Sequence, residues 1–299
     1  MNDTTTMQAV RPVTALRPAQ RHMEGAGFPV RRPFPAPGLD QVDPFLMLDE
    51  VGPVDWPPGK ALGAPDHPHR GFETITYVLQ GRKMHEDSTG AVEALGPGDV
   101  QWMTAGAGIV HAELPTPEFR ASGGRAHSFQ IWVNLPARDK RVPARYQCRR
   151  SADIPTAESA DGLARVKVIA GEALGVTASI TTHTPVTLLD LTIEPGGALA
   201  QPVPAGHNAA LYVFAGSLLA GAPETEVPDG RLAVFGEGET VGLRVDAAAS
   251  EPARALLLAG APLNEPVARY GPFVMNTREE VIAAVHDFQA GRMGEIRRA

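Results

Sequence analysis

The sequence predicts an all-β protein of two domains with one short helix near its carboxyl terminus. Its 299 residues are enough for two domains of about 150 residues, each with its own core. The 31 glycines and 28 prolines divide the chain into many short segments, and few stretches show a long helical period. Short strands punctuated by turn residues are typical of β-sandwiches and β-barrels, so we expect a mostly β architecture.

The clearest strand lies between Gly71 and Gly81. Before it, residues 1–20 show no strong period and are expected to be loosely held or to form a first edge strand. Within the strand, Thr74, Thr76 and Val78 alternate with a second set of side chains, which therefore lies on the other face. The second set is Glu73, Ile75, Tyr77 and Leu79. Because side chains two residues apart on a strand share a face, Glu73 is expected on the same face as His69.

Two pairs of metal-competent residues flank this strand, His67-Pro-His69 before it and His111-Ala-Glu113 after it. On a β-strand, each pair can direct both of its members at one point. Three imidazoles and a carboxylate without a thiolate disfavour a structural zinc site and suit a redox metal that keeps open positions for ligands. The spacing therefore predicts one metal ion per chain.

The second half of the chain repeats part of the first half in altered form. Residues 77–81 recur as residues 212–216, a shift of 135 residues from Tyr77 to Tyr212. Under this shift Pro202 and Pro204 stand at the positions of the first histidine pair, so we expect the second half to lack a metal. Its one candidate, His207, is interpreted as a hydrogen-bonded wall residue.

The predicted domains are residues 1–148, an N-terminal metal-binding barrel, and residues 149–299, a C-terminal degenerate barrel. The join is expected near the polar stretch 149–155. In the second domain, Thr277 and Glu280 predict a capping box that starts a helix, and Gly291 ends it. The apolar stripe of this helix, expected to dock on a sheet, is Val281, Ile282, Val285 and Phe288.

Composition excludes several classes of function. The net charge of −7, with dispersed Lys and Arg, argues against direct nucleic-acid binding. Apolar runs such as residues 255–259 are far too short to span a bilayer, so no membrane role is expected. The single Cys148 cannot form an internal disulfide, and residues 1–6 lack the basic start and apolar core of a signal peptide. We expect a cytoplasmic protein, in the form of a monomer.

The chain closely resembles the pirin family of bicupins over nearly its whole length. The segments that carry the resemblance are His67–Gly81, Pro97–Glu113, Gln130–Pro136 and Pro262–Thr277. The resemblance implies two jelly-roll barrels packed face to face, with one metal, usually iron, in the N-terminal barrel. Two departures are visible. Ala107 stands where an Arg or Lys is common in relatives, and the second-half motifs are more worn, so partner-binding surfaces are not carried over.

The resemblance also implies the ligand set, which is His67, His69, His111 and Glu113. Glu73 is the alternative acidic ligand, because many other cupins take that ligand from the first motif. Glu113 is preferred, since its spacing alone places it on the same face as His111. The expected metal is Fe²⁺, with manganese, nickel, cobalt or copper as substitutes, and two positions of an octahedral ion stay open.

The activity that the resemblance implies is dioxygenation of a flavonol-like aromatic substrate, because some pirins cleave quercetin. The 3-hydroxyl of that substrate must lose a proton, and Glu113 is both ligand and candidate base. Away from the ligands, His85 shares a face with Asp87 and is the one residue expected to contact substrate. Gln130 is a polar candidate near the end of the module. Met84, Trp102 and Met103 are expected to be ordinary core residues.

One alternative function stays open, and a second is disfavoured. A regulator whose iron state changes its binding to a transcription factor or metabolic enzyme would use the same site. A zinc-dependent sugar isomerase is disfavoured by the pirin-specific motifs. A binding role needs no wide cavity, so a pocket of ~300–1,000 Å³ opening onto the metal would favour catalysis.

Overall fold

The structure, a computed structural model that describes residues 9–298, confirms the all-β architecture. The strands of the first half are β1 (Val13–Pro18), β2 (Gln20–Glu24), β3 (Phe28–Phe34), β4 (Phe45–Trp56), β5 (Ala64–His69), β6 (Phe72–Gln80), β7 (Lys83–Asp87), β8 (Val92–Leu95), β9 (Val100–Thr104), β10 (Ile109–Pro115), β11 (Gly124–Asn134) and β12 (Arg145–Arg149). Those of the second half are β13 (Thr156–Glu158), β14 (Ala164–Ala170), β15 (Glu172–Ala173), β16 (Val176–Thr177), β17 (Val186–Ile193), β18 (Ala198–Pro202), β19 (Asn208–Ala215), β20 (Ser217–Ala220), β21 (Thr225–Pro228), β22 (Arg231–Phe235), β23 (Thr240–Arg244), β24 (Ala253–Gly260), β25 (Ala268–Tyr270) and β26 (Phe273–Met275). Two α-helices within the described residues are α1 (Pro117–Ser122) and α2 (Arg278–Gln289), with 3-10 turns at Ala137–Asp139 and Ser151–Asp153.

The N-terminal unit consists of Gln20–Asp153 and the described residues from Leu263 onward. Its large sheet has the strand order β12-β9-β6-β11-β4-β3-β2, and its small sheet has the order β5-β10-β7-β8. The strand pairs within both sheets are antiparallel, the arrangement of a jelly roll. Side chains of β6 and β9 reach Glu113 on β10, so the two sheets face each other across the region that contains the histidine pairs.

The C-terminal unit consists of Ile154–Pro262 and the described residues up to Ala19. Its large sheet has the order β1-β22-β19-β24-β17-β14-β13, and its small sheet has the order β18-β23-β20-β21. The two units therefore share one architecture, seven strands facing four. Tyr77 on β6 and Tyr212 on β19 occupy the third strand of their large sheets, which agrees with the repeat found in the sequence.

Both chain ends depart from the predicted boundaries at 148 and 149. Strand β1 pairs with β22, so the amino-terminal segment joins the C-terminal unit as the expected edge strand. The segment after Leu263 returns to the N-terminal unit, where Arg70 bridges to Phe273 in parallel. The amino-terminal strand thereby covers an edge of the large sheet, and unpaired strand edges are unfavourable. The carboxyl-terminal segment adds a single bridge, at Arg70. The prediction for residues 1–8 lies outside the described residues.

Helix α2 begins as the sequence predicts and docks in a different unit. Thr277 is the N-cap, and its side chain and that of Glu280 complete the capping box. The helix packs on the N-terminal unit, where Val281 and Ala284 are buried beside Phe273. The predicted stripe is only partly buried, because Ile282 and Phe288 are 45% and 38% exposed. Among residues 9–298, neither helix has the length and apolarity that a bilayer crossing requires.

Lys140 connects the carboxyl-terminal segment to the N-terminal unit from a buried position, with 1% of its surface exposed. Its ammonium donates to the carbonyl oxygens of Gly71 and Val274, at 2.8 and 3.1 Å, and to Asn134 Oδ1 at 2.7 Å. Burial lowers the pKa of Lys140 to about 8, against the opposing effect of Glu265 and Glu280. The three acceptors keep the charged form bound in a place where water cannot solvate it.

We expect Lys140→Met to destabilise the protein by about 1–3 kcal/mol at neutral pH, because three buried acceptors lose their donor. Between pH 7.5 and 9.5 the unfolded lysine holds its proton while the folded one releases it. The wild-type protein therefore gains about 2 kcal/mol of stability over that interval, and Lys140→Met does not gain it. Denaturant unfolding at the two pH values measures this difference. Parallel pH profiles of the two proteins would contradict the prediction.

Candidate metal centre

The three predicted histidine ligands meet because β5 and β10 are neighbours in the small sheet. His111 lies directly opposite His67 in the register, and Ile109 lies opposite His69. The ring centroids of His111 are 4.3 Å from His67 and 4.9 Å from His69. One ring nitrogen from each of the three residues lies within 4.8 Å of the other two. The described residues thus contain a three-histidine cluster of a size that can hold a metal ion.

Burial favours the neutral form of the His69 and His111 rings, which is the form that binds metals. His69 is 4% exposed and His111 is fully buried. Burial holds the pKa of both rings well below its ordinary value, and the neighbouring histidines add to the effect. A metal ligand must be a neutral imidazole, so this electrostatic setting fits a cation bound among the rings.

Hydrogen bonds fix which ring nitrogens are free. His67 Nδ1 lies 2.7 Å from the carbonyl oxygen of Pro65, and His69 Nδ1 lies 3.4 Å from that of Pro272. A carbonyl oxygen only accepts, so each Nδ1 carries the proton and each Nε2 keeps its lone pair. Both nitrogens of His111 are buried without a hydrogen-bond partner in the described structure. Such orphaned nitrogens, facing two lone pairs, fit a metal ion.

Glu113 lies two residues beyond His111 and is held apart from the three-histidine cluster. Its Oε1 accepts from the Thr76 hydroxyl and from Gln101 Nε2, each at 2.5 Å. The carboxylate is 8% exposed, and it is not part of the group that brings its ligand atoms within 4.8 Å. Its role as the fourth ligand stays a prediction, in which the free oxygen of a side chain already anchored at Oε1 would reach the ion.

Glu73 does not share a face with His69, contrary to the sequence expectation. His69 packs edge-on against Phe72, with centroids 5.1 Å apart, and Thr76 on the same face as Phe72 reaches Glu113. Glu73 points to the opposite face of β6, where Thr104 donates to its Oε1 at 2.6 Å. Strand parity fails because Gly71, at φ +87°, turns the chain between β5 and β6. A Cβ at Gly71 would meet the Val274 carbonyl oxygen at 2.0 Å.

A cavity of about 600 Å³ opens onto the cluster. His67, His69 and Glu113 form part of its wall, and His111 lies behind them, fully buried. Apolar and polar side chains from β3, β4, β11 and the carboxyl-terminal segment complete the wall. These side chains include Phe28, Arg32, Met47, Asp49, Gln130, Trp132 and Arg269. The Trp132 ring stacks edge-on against His69 at 5.3 Å.

His85, expected to contact substrate, does not line this cavity. It is fully buried, its Nε2 lies 2.9 Å from Asp87 Oδ2, and its ring stacks on Tyr146 at 4.4 Å. Its centroid is 5.4 Å from that of His111. The predicted pairing with Asp87 is present, but the pair supports the cluster from inside the barrel. The polar candidate Gln130 does line the cavity, whereas Trp102 and Met103 are fully buried core residues.

The C-terminal unit has no comparable cluster among its described residues. His207 lies at the wall of a separate cavity of about 620 Å³, and Pro202 and Pro204 line the same cavity. We expect His207→Ala to leave the metal content per chain unchanged, because no second histidine joins it there. Elemental analysis of the purified variant checks this. A fall to about half the wild-type content would show that the second unit binds metal.

Two family models match this chain. The Pirin family model matches residues 27–133, and the Pirin C-terminal cupin domain model matches residues 188–294. The chain is 44% identical to "Putative quercetin 2,3-dioxygenase PA2418" of Pseudomonas aeruginosa, over 92% of this chain and 95% of that protein. It is 41% identical to Pirin of Homo sapiens, over 96% of each chain.

Among solved structures, quercetin 2,3-dioxygenase from Acinetobacter baumannii superposes with a TM-score of 0.89 and 37% identity. That match covers 97% of this chain and 100% of the other.

Proposed function

The chain belongs to the pirin family of bicupins, and from that premise we propose that it is an iron-dependent dioxygenase that cleaves quercetin-type flavonols. Two relatives at 42–44% identity carry quercetin 2,3-dioxygenase in their names, which supports the proposal. The proposed substrates are a flavonol-like aromatic molecule and dioxygen. Catalysis would take place in the N-terminal unit, and the C-terminal unit would act as a structural partner.

The observation that carries the proposal is the cavity that opens onto the three histidines. Its volume of about 600 Å³ lies within the ~300–1,000 Å³ usual for small-molecule sites. Phe28 and Trp132 give it aromatic walls and Met47 adds an apolar thioether, a lining suited to an aromatic ligand. A protein that only bound a partner through its outer surface would not need this space. Catalysis is therefore favoured over the alternative of an iron-dependent regulator.

His67, His69 and His111 would hold Fe²⁺, with Glu113 as the fourth ligand. When bound, the iron would acidify a substrate hydroxyl and supply the redox chemistry that dioxygen requires. Each protein residue then has a separate task. Pro65 and Pro272 orient the first two rings through their carbonyl oxygens, and the Trp132 side chain excludes water beside His69.

In this proposal Glu113 takes the proton of the substrate hydroxyl. Thr76 and Gln101 hold its Oε1, so the carboxylate cannot rotate freely and its Oε2 is directed to the remaining space. No described donor occupies that second oxygen, and the residue lines the cavity. An oxygen that ligates an ion keeps a further lone pair, so the fixed carboxylate of Glu113 would act as a general base while still bound.

The test is to purify the protein under nitrogen, measure its metal content, and then follow dioxygen uptake against a panel of flavonols. We expect about one metal ion per chain and uptake that depends on both the metal and the flavonol. A matched reaction with a flavone that lacks the 3-hydroxyl should show no uptake. Metal-replete protein that consumes no dioxygen with any flavonol would contradict the proposal and favour the regulator.

A further inference from the structure

The charged side chains that line the cavity are unevenly paired. Four carboxylates line it, and each has a partner among the described residues. They are Glu24, Asp49, Asp66 and Glu113. Arg32 pairs with the first two, at 2.8 and 2.6 Å, and Arg298 pairs with the third at 2.6 Å. The fourth, Glu113, accepts hydrogen bonds from the Thr76 hydroxyl and from the side-chain amide of Gln101. Because both of those donors are neutral, Glu113 is the one lining carboxylate that makes no ion pair with a described residue.

Lys83 is one of three lining cations that make no ion pair with a carboxylate among the described residues, and it is the least exposed of the three. It lines the cavity and is mostly buried, yet its ammonium makes no hydrogen bond or ion pair of 4 Å or less with any described residue. In the register of β7 and β10, Lys83 lies opposite Pro115, one same-face position beyond Glu113. Two residues along a strand span about 7 Å, so Lys83 lies about that far along the wall from Glu113.

The Lys83 ammonium keeps contact with water in the cavity, although its side chain is largely buried and offers it no hydrogen-bonding partner. An ammonium in such a partly enclosed site is better stabilised by an anion than by the few waters that reach it. Burial lowers the pKa of Lys83, and the charge of Glu113 opposes that shift. An anionic group in the cavity would supply the missing partner with a hydrogen bond to a charged donor. The position, about one ring's width from Glu113, corresponds to the far end of an aromatic ligand whose near end lies at the histidines.

Two other lining cations are less suited to this task. Arg82 and Arg269 are both exposed. The Arg269 guanidinium lies over the Trp132 ring, 4.6 Å from its centroid, on the His69 side of the cluster. An exposed arginine keeps most of its hydration, so it discriminates weakly between charged and neutral ligands.

We propose that the cavity selects substrates that carry a second anionic group, such as a carboxylate, and that Lys83 binds this group. The inference rests on the proposed function, because it extends the substrate class of the same site. It makes Lys83 a specificity residue and predicts that neutral flavonols are poorer ligands than acidic ones of the same size.

The test compares two probes, 3-hydroxyflavone-4′-carboxylic acid and its methyl ester, which share the chelating oxygens and differ in charge. Calorimetric titration of the metal-loaded protein under nitrogen gives both dissociation constants. We expect the wild-type protein to bind the acid at least about tenfold more tightly than the ester. In Lys83→Met the acid should lose this advantage, and binding of the ester should change by less than about twofold.

Three controls accompany the titration. Lys60→Met removes an exposed lysine of the same unit outside the cavity, and Arg269→Gln removes the exposed guanidinium. Both should keep the preference for the acid. Ligand-free Lys83→Met should melt no lower than the wild type, because the substitution removes no hydrogen bond or ion pair between described residues, and its melting curve therefore shows directly that it is folded.

The outcomes separate the inference from the proposed function. Equal binding of acid and ester by the wild type, binding of neither probe, or loss of the preference in Arg269→Gln but not in Lys83→Met would overturn the role of Lys83. Dioxygen uptake is then measured with the same probes. Uptake without a charge preference would leave the dioxygenase proposal standing, and a charge preference without uptake would support Lys83 while contradicting the dioxygenase.

Discussion

Replacing His111 with alanine is expected to leave the purified protein almost free of metal. The ring packs against both His67 and His69, and both of its nitrogens are buried without a partner in the described structure. Loss of an outer partner of a ligand typically costs 10–100-fold in metal affinity, and loss of this central ligand should cost more than about 100-fold. Elemental analysis of protein purified under nitrogen measures the effect.

The matched control for that experiment is His286→Ala, which removes an exposed imidazole from α2 in the same unit. It should keep the full metal content. The folded state of His111→Ala is checked by circular dichroism, because a cavity the size of an imidazole can itself destabilise a core. A folded His111→Ala protein with the metal content of the wild type would remove His111 from the ligand set.

The second large effect is expected for Glu113→Gln, which should lower the rate of flavonol cleavage by ~10²–10⁴-fold per bound iron. The amide oxygen can take the place of Oε1 and accept from Thr76 and Gln101, so the local packing is preserved. The amide is a poor base at the position of the second oxygen. Both proteins are loaded with equal iron under nitrogen, oxygen is admitted, and the loss of flavonol absorbance is followed.

Glu118→Gln is the control for that series, because Glu118 is an exposed carboxylate on the nearby helix α1. Its rate per iron should equal that of the wild type. Equal rates per iron for Glu113→Gln would exclude Glu113 as the base. A protein that loses its iron altogether after this substitution would instead support Glu113 as an essential ligand.

The histidine cluster could be predicted because its information is local. Each pair shares a strand face by simple alternation, and the two strands that carry them are neighbours in one sheet. Glu73 shows where this reasoning fails. Alternation holds within a strand, but the turn at Gly71 resets it, and a positive φ at one glycine is not visible as a change of face in the sequence.

The side chains around the cluster could not be predicted in the same way. The alternation of His85 and Asp87 indicated correctly that they pair, at 2.9 Å, but not whether they meet the cavity or the core. Arg269 and Trp132 lie far apart in sequence and become neighbours through the return of the carboxyl-terminal segment. Lys83 stood out by no motif. The one indication was that this lysine lies in a strand next to the strand of His111 and Glu113, where a lysine is expected to have an ion-pair partner.

The exchange of chain ends was missed because neither end has enough periodic sequence to reveal a partner. Strand β1 has a weak pattern, and its pairing with β22 depends on residues more than two hundred positions away. The helix α2 was predicted from its capping box, which is a local signal, but its packing beside Val110 and its ion pair with Arg70 join residues that are far apart in the sequence. Local chemistry thus predicted elements, and tertiary pairing decided where they lie.

The return of the carboxyl-terminal segment has a consequence for synthesis of the protein. Pro272 supplies the carbonyl oxygen beside His69, Arg269 to Pro272 close part of the cavity, and Asp287 pairs with Arg70 at 2.6 Å. Because these residues are translated well after His111, a chain emerging from the ribosome has all three candidate histidine ligands before it has a finished pocket. The pocket therefore cannot be completed until residues 269–287 have been made, and a fragment ending at residue 148 would carry the candidate ligands without the walls that orient them.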